Sequence, residues 1–91
     1  MDRAAVAAAL VRAATAMENN PRLDPDAAVR VAIFGHPKAH PGFGQGGGDL
    51  FDQVTGTLRA ACQWPTARID GIPREQAITA AYAEAARLTA P

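Results

Sequence analysis

Alanine supplies 22 of the 91 residues, and that fact limits what the chain can build. An alanine side chain is one methyl group, so burying it removes little apolar area from water and makes few contacts. Leu, Ile, Val and Phe together number only 17, so the 48% hydrophobic fraction overstates the material available for a core. So few bulky residues would suggest disorder if the net charge were large, but it is zero. The expectation is a folded chain with a thin core, helped by close helix packing or by a partner. Its length suits one domain, residues 1–91, near the small end of chains that fold unaided.

Periodicity and punctuation place the helices. In residues 2 to 18, Val6, Leu10, Ala13, Ala14 and Met17 recur at three- and four-residue spacing, with Arg3, Arg12 and Glu18 off that stripe. Asn19, Asn20 and Pro21 end this segment. Val29, Val31 and Ile33 then alternate with Arg30, Ala32 and Phe34, which fits a short strand. The flanking residues argue for a helix instead. Asp24 suits an N-cap, Pro25 the first helical position and Asp26 the positive end of the dipole. Gly35 fits the left-handed slot at the C-terminus, with Pro37 behind it. A short buried helix is therefore expected over 25–34.

A third helix is read over Asp49–Cys62, with Leu50, Phe51, Val54, Leu58 and Ala61 as its apolar stripe. Gly56 lies inside it, where glycine costs about 1 kcal/mol relative to alanine. Close approach by another helix would explain it. Gln63–Ile72 is a connector containing Trp64, Pro65 and Gly71. Pro73 opens a last helix with Ile78, Ala81, Tyr82, Ala85 and Leu88 inward, Glu75 in its first turn and Arg87 in its last. The fold class that results is all-α, a small alanine-rich bundle of three to four helices with a Gly-rich loop, about 35–48, in the middle.

That loop is the first place to look for chemistry. "GHPKAHPGFGQGGGD", Gly35 to Asp49, holds six of the eight glycines and both histidines. "GFGQGG" matches G-x-G-x-x-G, but a dinucleotide site needs a strand ending at the first glycine. Here the apolar run stops at Phe34, and Pro37 and Pro41 intervene. A P-loop fails because Gly48 and Asp49 stand where Lys and Ser or Thr are required. Asp49 at the helix start would also repel an anion. His36 and His40 are four apart, yet the two prolines oppose a helix through both, and no cluster completes a zinc set. His36, His40, Gly44 and Gly46 therefore rank as weak ligand-loop candidates, with a flexible connector preferred and neither a metal nor a cofactor expected. Cys62 falls near an inner helix face, where a thiol is packing. No catalytic residue is assigned and no enzymatic activity is expected.

Trp64 is the one tryptophan and sits in a connector rather than on a helix face. Its ring either caps the end of the small core or anchors an interface, where tryptophan is enriched among hot spots. Trp64, Pro65 and Tyr82 are the interface candidates, Tyr82 being read as core with its hydroxyl at the edge.

The chain also resembles a group of short, uncharacterised proteins of actinobacteria and their phages. "LVRAA" at Leu10–Ala14, "AAVRVAIFG" at Ala27–Gly35, and Trp64 ahead of a final helix ending in "AEAARL" carry the likeness. That group often has Asn-Asp after the tryptophan, where this chain has Pro65 and Thr66. The resemblance implies no activity and favours a mobile-element or accessory protein over a metabolic enzyme.

Nine basic and nine acidic residues, in no long run of one sign, remove the electrostatic footprint of nucleic-acid or membrane-surface binding. No segment has the roughly 20 apolar residues of a membrane span. The alanines after Arg3 are interrupted by Arg12 and read as mature protein rather than a leader. A single cysteine points to a reducing cytoplasm. The function expected is a non-enzymatic helical interaction module that binds a protein partner or copies of itself. A small-ligand or phosphate-binding protein or enzyme using the 35–49 loop is the first alternative. A DNA-binding regulator is the second, weakened because no helix has a basic face.

Overall fold

A computed structural model describes residues 2–39 and 48–91. Four helices follow one another: α1 (Arg3–Asn19), α2 (Pro25–Phe34), α3 (Gly48–Ala61) and α4 (Arg74–Thr89). A 3-10 turn at Ile69–Gly71 lies between α3 and α4, and no strand occurs among the described residues. The segment with competing readings, 29–34, is therefore helical. Capping rather than periodicity decided it.

The caps follow the local chemistry. Asp2 and Asp24 accept hydrogen bonds from the Ala5 and Ala27 amides, at 3.1 and 2.8 Å, and so satisfy amides that the first turns of α1 and α2 leave open. Gly35 takes a left-handed φ of 82° and donates to the Val31 carbonyl at 2.9 Å, closing α2. The end of α3 is less ordinary. Trp64 N–H reaches the Arg59 carbonyl at 2.9 Å and Gln63 N–H the Ala60 carbonyl at 3.1 Å, the double bond pattern of a Schellman close. Gln63 occupies its left-handed position with φ 51°, where glycine would be unstrained.

α1 is the central element, packing most extensively on α4 and next on α2, with α3 closing the bundle. Val6, Leu10, Ala13, Ala14 and Met17 are all fully buried, as their spacing predicts. Phe51, Val54 and Leu58 enter from α3, and Ala77, Ile78, Ala81, Ala85 and Leu88 from α4. Ile69 and Ile72 close the core from the connector. No polar or charged side chain is buried among the described residues. The core is thin, but it is uniformly apolar.

α1 and α4 are antiparallel, and each stabilises the C-terminal end of the other. Arg74 donates twice to the Met17 carbonyl, at 2.7 and 3.1 Å, and Arg3 donates to the Leu88 carbonyl at 3.2 Å. Both cations therefore meet carbonyls in the last turn of a neighbouring helix, where the dipole is negative.

Several finer expectations need correction. Gly56 receives no close approach: a Cβ built there meets nothing within 4 Å, and the residue is exposed. Ala61 is exposed rather than inward, and α2 buries only Pro25, Ala28 and Val29. Tyr82 lies outside the core, 38% exposed, because the buried arc of α4 is centred on Ala81 and Ala85.

Candidate functional site

Three surface regions carry the residues in question. The first is the connector after α3. The Schellman close turns the chain so that the Trp64 ring lies back over Gly71, where an added Cβ would come within 2.9 Å of Trp64 Cζ2. Trp64 Nε1 donates to the Arg68 carbonyl at 3.0 Å, so its polar edge is satisfied within its own loop. Arg59 donates to the Trp64 and Pro65 carbonyls, at 3.2 Å each, and fastens the loop to α3. Trp64 is thus half-buried with one face on the loop, and Pro65 is exposed. Cys62, just before this loop, is buried, and burial pushes its thiol pKa up. That is the opposite of an activated nucleophile.

The second region is a polar cleft of about 370 Å³ between α2, α3 and the 3-10 turn. Its charged groups are already paired. Asp24 caps α2; Asp26 binds Arg30 at 2.8 Å; Asp70 binds Arg68 at 3.3 Å, and that bond holds the Asp70 carboxyl below its ordinary pKa. Arg30 is the hub. Besides Asp26 it donates to the Ala39 carbonyl at 2.7 Å, and its guanidinium lies 4.6 Å from the centre of the Phe51 ring. The sequence treats Arg30 as the polar member of an alternating run and gives no hint of this role. Among the described residues, no three His, Cys, Asp or Glu side chains gather into a group that could hold a metal ion.

The third region is an apolar groove between α1 and α4, with a volume of about 440 Å³. Ala4, Ala7, Ala8 and Val11 form its α1 wall, and Tyr82, Ala85, Ala86 and Thr89 its α4 wall. Val11 and Tyr82, 42% and 38% exposed, are the exposed large hydrophobic residues of the described chain, and both stand in this groove. The Tyr82 hydroxyl donates to Glu18 and lies 3.3 Å from Thr15 Oγ1, so its polar end is bonded to α1.

The structure does not bring the sequence candidates into one site. Trp64 and Pro65 belong to the connector, and Tyr82 to the α1–α4 groove. His36 follows α2, exposed, its Nδ1 accepting from the Lys38 amide at 3.0 Å. His40, Gly44 and Gly46 lie outside the described residues, as does the interior of the Gly-rich loop. Val11 was missed. Its signal was an apolar residue on α1 off the buried stripe. No described helix is long and apolar enough to cross a membrane. In comparisons with protein-family models, curated proteins and solved structures, nothing matches the chain.

Proposed function

We propose that this chain is a non-enzymatic helical interaction module whose contact face is the α1–α4 groove. One observation carries the reading: Val11 and Tyr82 expose their side chains to the same concave, uncharged groove. Isolated exposed apolar residues are ordinary on a protein surface; here two share one apolar groove, which supports a contact role. The groove's alanine walls let an incoming helix come near, and Tyr82 is a residue type that anchors interfaces. The committed state of every charged group in the polar cleft, and the raised pKa of Cys62, support a role without chemistry. A reducing cytoplasm suits the lone buried thiol. Trp64, with its indole N–H used inside the connector, fits a loop-closing role better than a contact role.

The test is affinity purification from the native host with three baits: wild type, Val11→Lys and Trp64→Ala. Val11→Lys should lose what wild type retains while keeping wild-type helicity, because the side chain is already in solvent. Retention by Val11→Lys together with loss by a folded Trp64→Ala would move the contact face to the connector.

A further inference from the structure

We infer that α3 opens as a unit, melting away from a core that α1, α2 and α4 keep closed, and that the seat of Phe51 on the Arg30 guanidinium is its catch. The α1–α4 groove is lined without α3 and outlasts this opening.

The attachment of α3 differs in kind from that of the other helices. α1 and α4 share a core and also polar bonds, from Arg74 to the Met17 carbonyl, from Arg3 to the Leu88 carbonyl and from Tyr82 to Glu18. Arg12 ties α1 to α2 through the Ala32 carbonyl at 3.1 Å. Among the described residues, no hydrogen bond or ion pair joins α3 to α1, α2 or α4, and α3 packs least extensively of the four. Thr55 turns its hydroxyl back to the Phe51 and Asp52 carbonyls, and Arg59 bonds only the connector that follows. What holds α3 is apolar contact through Phe51, Val54 and Leu58. Clefts of about 370 and 110 Å³ lie between it and the 3-10 turn.

The helix is also weak in itself. Its 14 residues are near the lower limit for an isolated helix in water, and Gly56 and the back-bonded Thr55 weaken it further. Undocking is therefore coupled to unfolding. The opening exposes three large side chains rather than the whole core, so it precedes global unfolding.

The catch lies in the first turn of α3. Phe51 packs against two α2 side chains one turn apart, with its ring centre 4.6 Å from the Arg30 guanidinium and 6.0 Å from that of Phe34. Asp26 and the Ala39 carbonyl accept from that guanidinium at 2.8 and 2.7 Å, and neither belongs to α3. Arg30 is therefore held in position whether α3 is docked or open, and Phe51 is the part that comes and goes. At the other end, Cys62 continues the apolar stripe four residues beyond Leu58 and is buried. Opening of α3 uncovers its thiol.

Native-state hydrogen exchange in increasing urea, read beside global unfolding by circular dichroism, tests this. The Val54 and Leu58 amides should report an opening roughly tenfold or more above global unfolding, with a shallower urea dependence than Leu10 or Ala81. Cys62 should label with a disulfide reagent at that same opening constant. Arg30→Met removes the cation–π contact and should raise the opening about fivefold. Gly56→Ala should lower it about fivefold. Arg74→Met, on the α1–α4 pair, should raise global unfolding and leave the opening of α3 unchanged. Val54 and Leu58 amides that share the constant and urea slope of Leu10 and Ala81 overturn the inference. A folded Arg30→Met whose α3 opens no more often than wild type overturns the catch.

Discussion

Two glycines in this chain should respond to the same substitution with opposite signs. Gly56 is an exposed residue in the interior of α3, and a Cβ added there finds open space. Gly56→Ala therefore carries only the backbone term: the unfolded chain loses freedom and the helix gains a better former, a gain of about 1 kcal/mol. For a domain of this size that raises Tm by about 4–8 °C. Gly71 ends the 3-10 turn, and its added Cβ would sit 2.9 Å from Trp64 Cζ2. Ordinary contact begins about half an ångström further out. The ring cannot withdraw freely, because Nε1 is bonded to the Arg68 carbonyl and the Trp64 backbone is held by the close of α3. Overpacking of this kind costs about 1–3 kcal/mol, so Gly71→Ala should lower Tm despite the same entropic gain in the unfolded chain. Thermal and urea denaturation followed by circular dichroism at one fixed protein concentration measures both. A destabilised Gly56→Ala would mean that something does approach α3 closely. A Gly71→Ala as stable as wild type would mean that Trp64 does not pack on the turn, and would return the ring to the list of contact residues.

Gln63→Gly should stabilise by about 1 kcal/mol, since it relieves an L-residue held at φ 51°; urea midpoints check it, and a loss would mean the Gln63 side chain is needed for the turn. Arg74→Met should destabilise by about 1–2 kcal/mol, allowing for the one-third exposure of the side chain, because the Met17 carbonyl loses both its charge-assisted donors. Native-state hydrogen exchange should localise that loss to the end of α1. Cys62 should react with a disulfide reagent far more slowly in the folded protein than in urea. Its pH profile should lie above that of a free thiol, since burial raises its pKa, and fast labelling at neutral pH would refute the buried placement.

What could be read in advance depended on residues with one dominant physical preference. Asp24, Pro25 and Gly35 each suit one position at a helix boundary, so α2 was legible although its interior alternated like a strand. The α1 core stripe was legible because Val6, Leu10 and Met17 are large and Arg3, Arg12 and Glu18 are charged, so the two faces contrast. Gly56 misled for the opposite reason. A glycine in a helix interior signals either a close neighbour or nothing, and only the position of the other helices decides. Gln63 in a left-handed turn and Arg30 over Phe51 were not legible at all. Both depend on where a distant or following segment lies, and neither residue type prefers its role.

The groove shows the same limit on α4. With alanine at 77, 80, 81, 83, 85 and 86, the apolar residues run almost all round the helix. Tyr82 stands four residues after Ile78 and six before Leu88, so spacing alone admits it to the core. The placement of α1 excludes it: α1 packs beside Tyr82 rather than over it, and Ala81 and Ala85 go inward instead. On an alanine-rich helix, hydrophobicity cannot locate the edge of the buried face, because alanine fits on either side of it. Charge is the better marker. Exposed positions 4, 8, 11 and 15 of α1 and 79, 82, 86 and 89 of α4 carry none, while Glu18 and Glu75 stand at the far end of the helix pair and Arg12 beside Val11. A solvated helix face normally collects charge. The stretch from Ala4 to Val11 facing Tyr82 to Thr89 lines its groove without charge, and that, rather than hydrophobicity, is what sets it apart from the rest of the two helices.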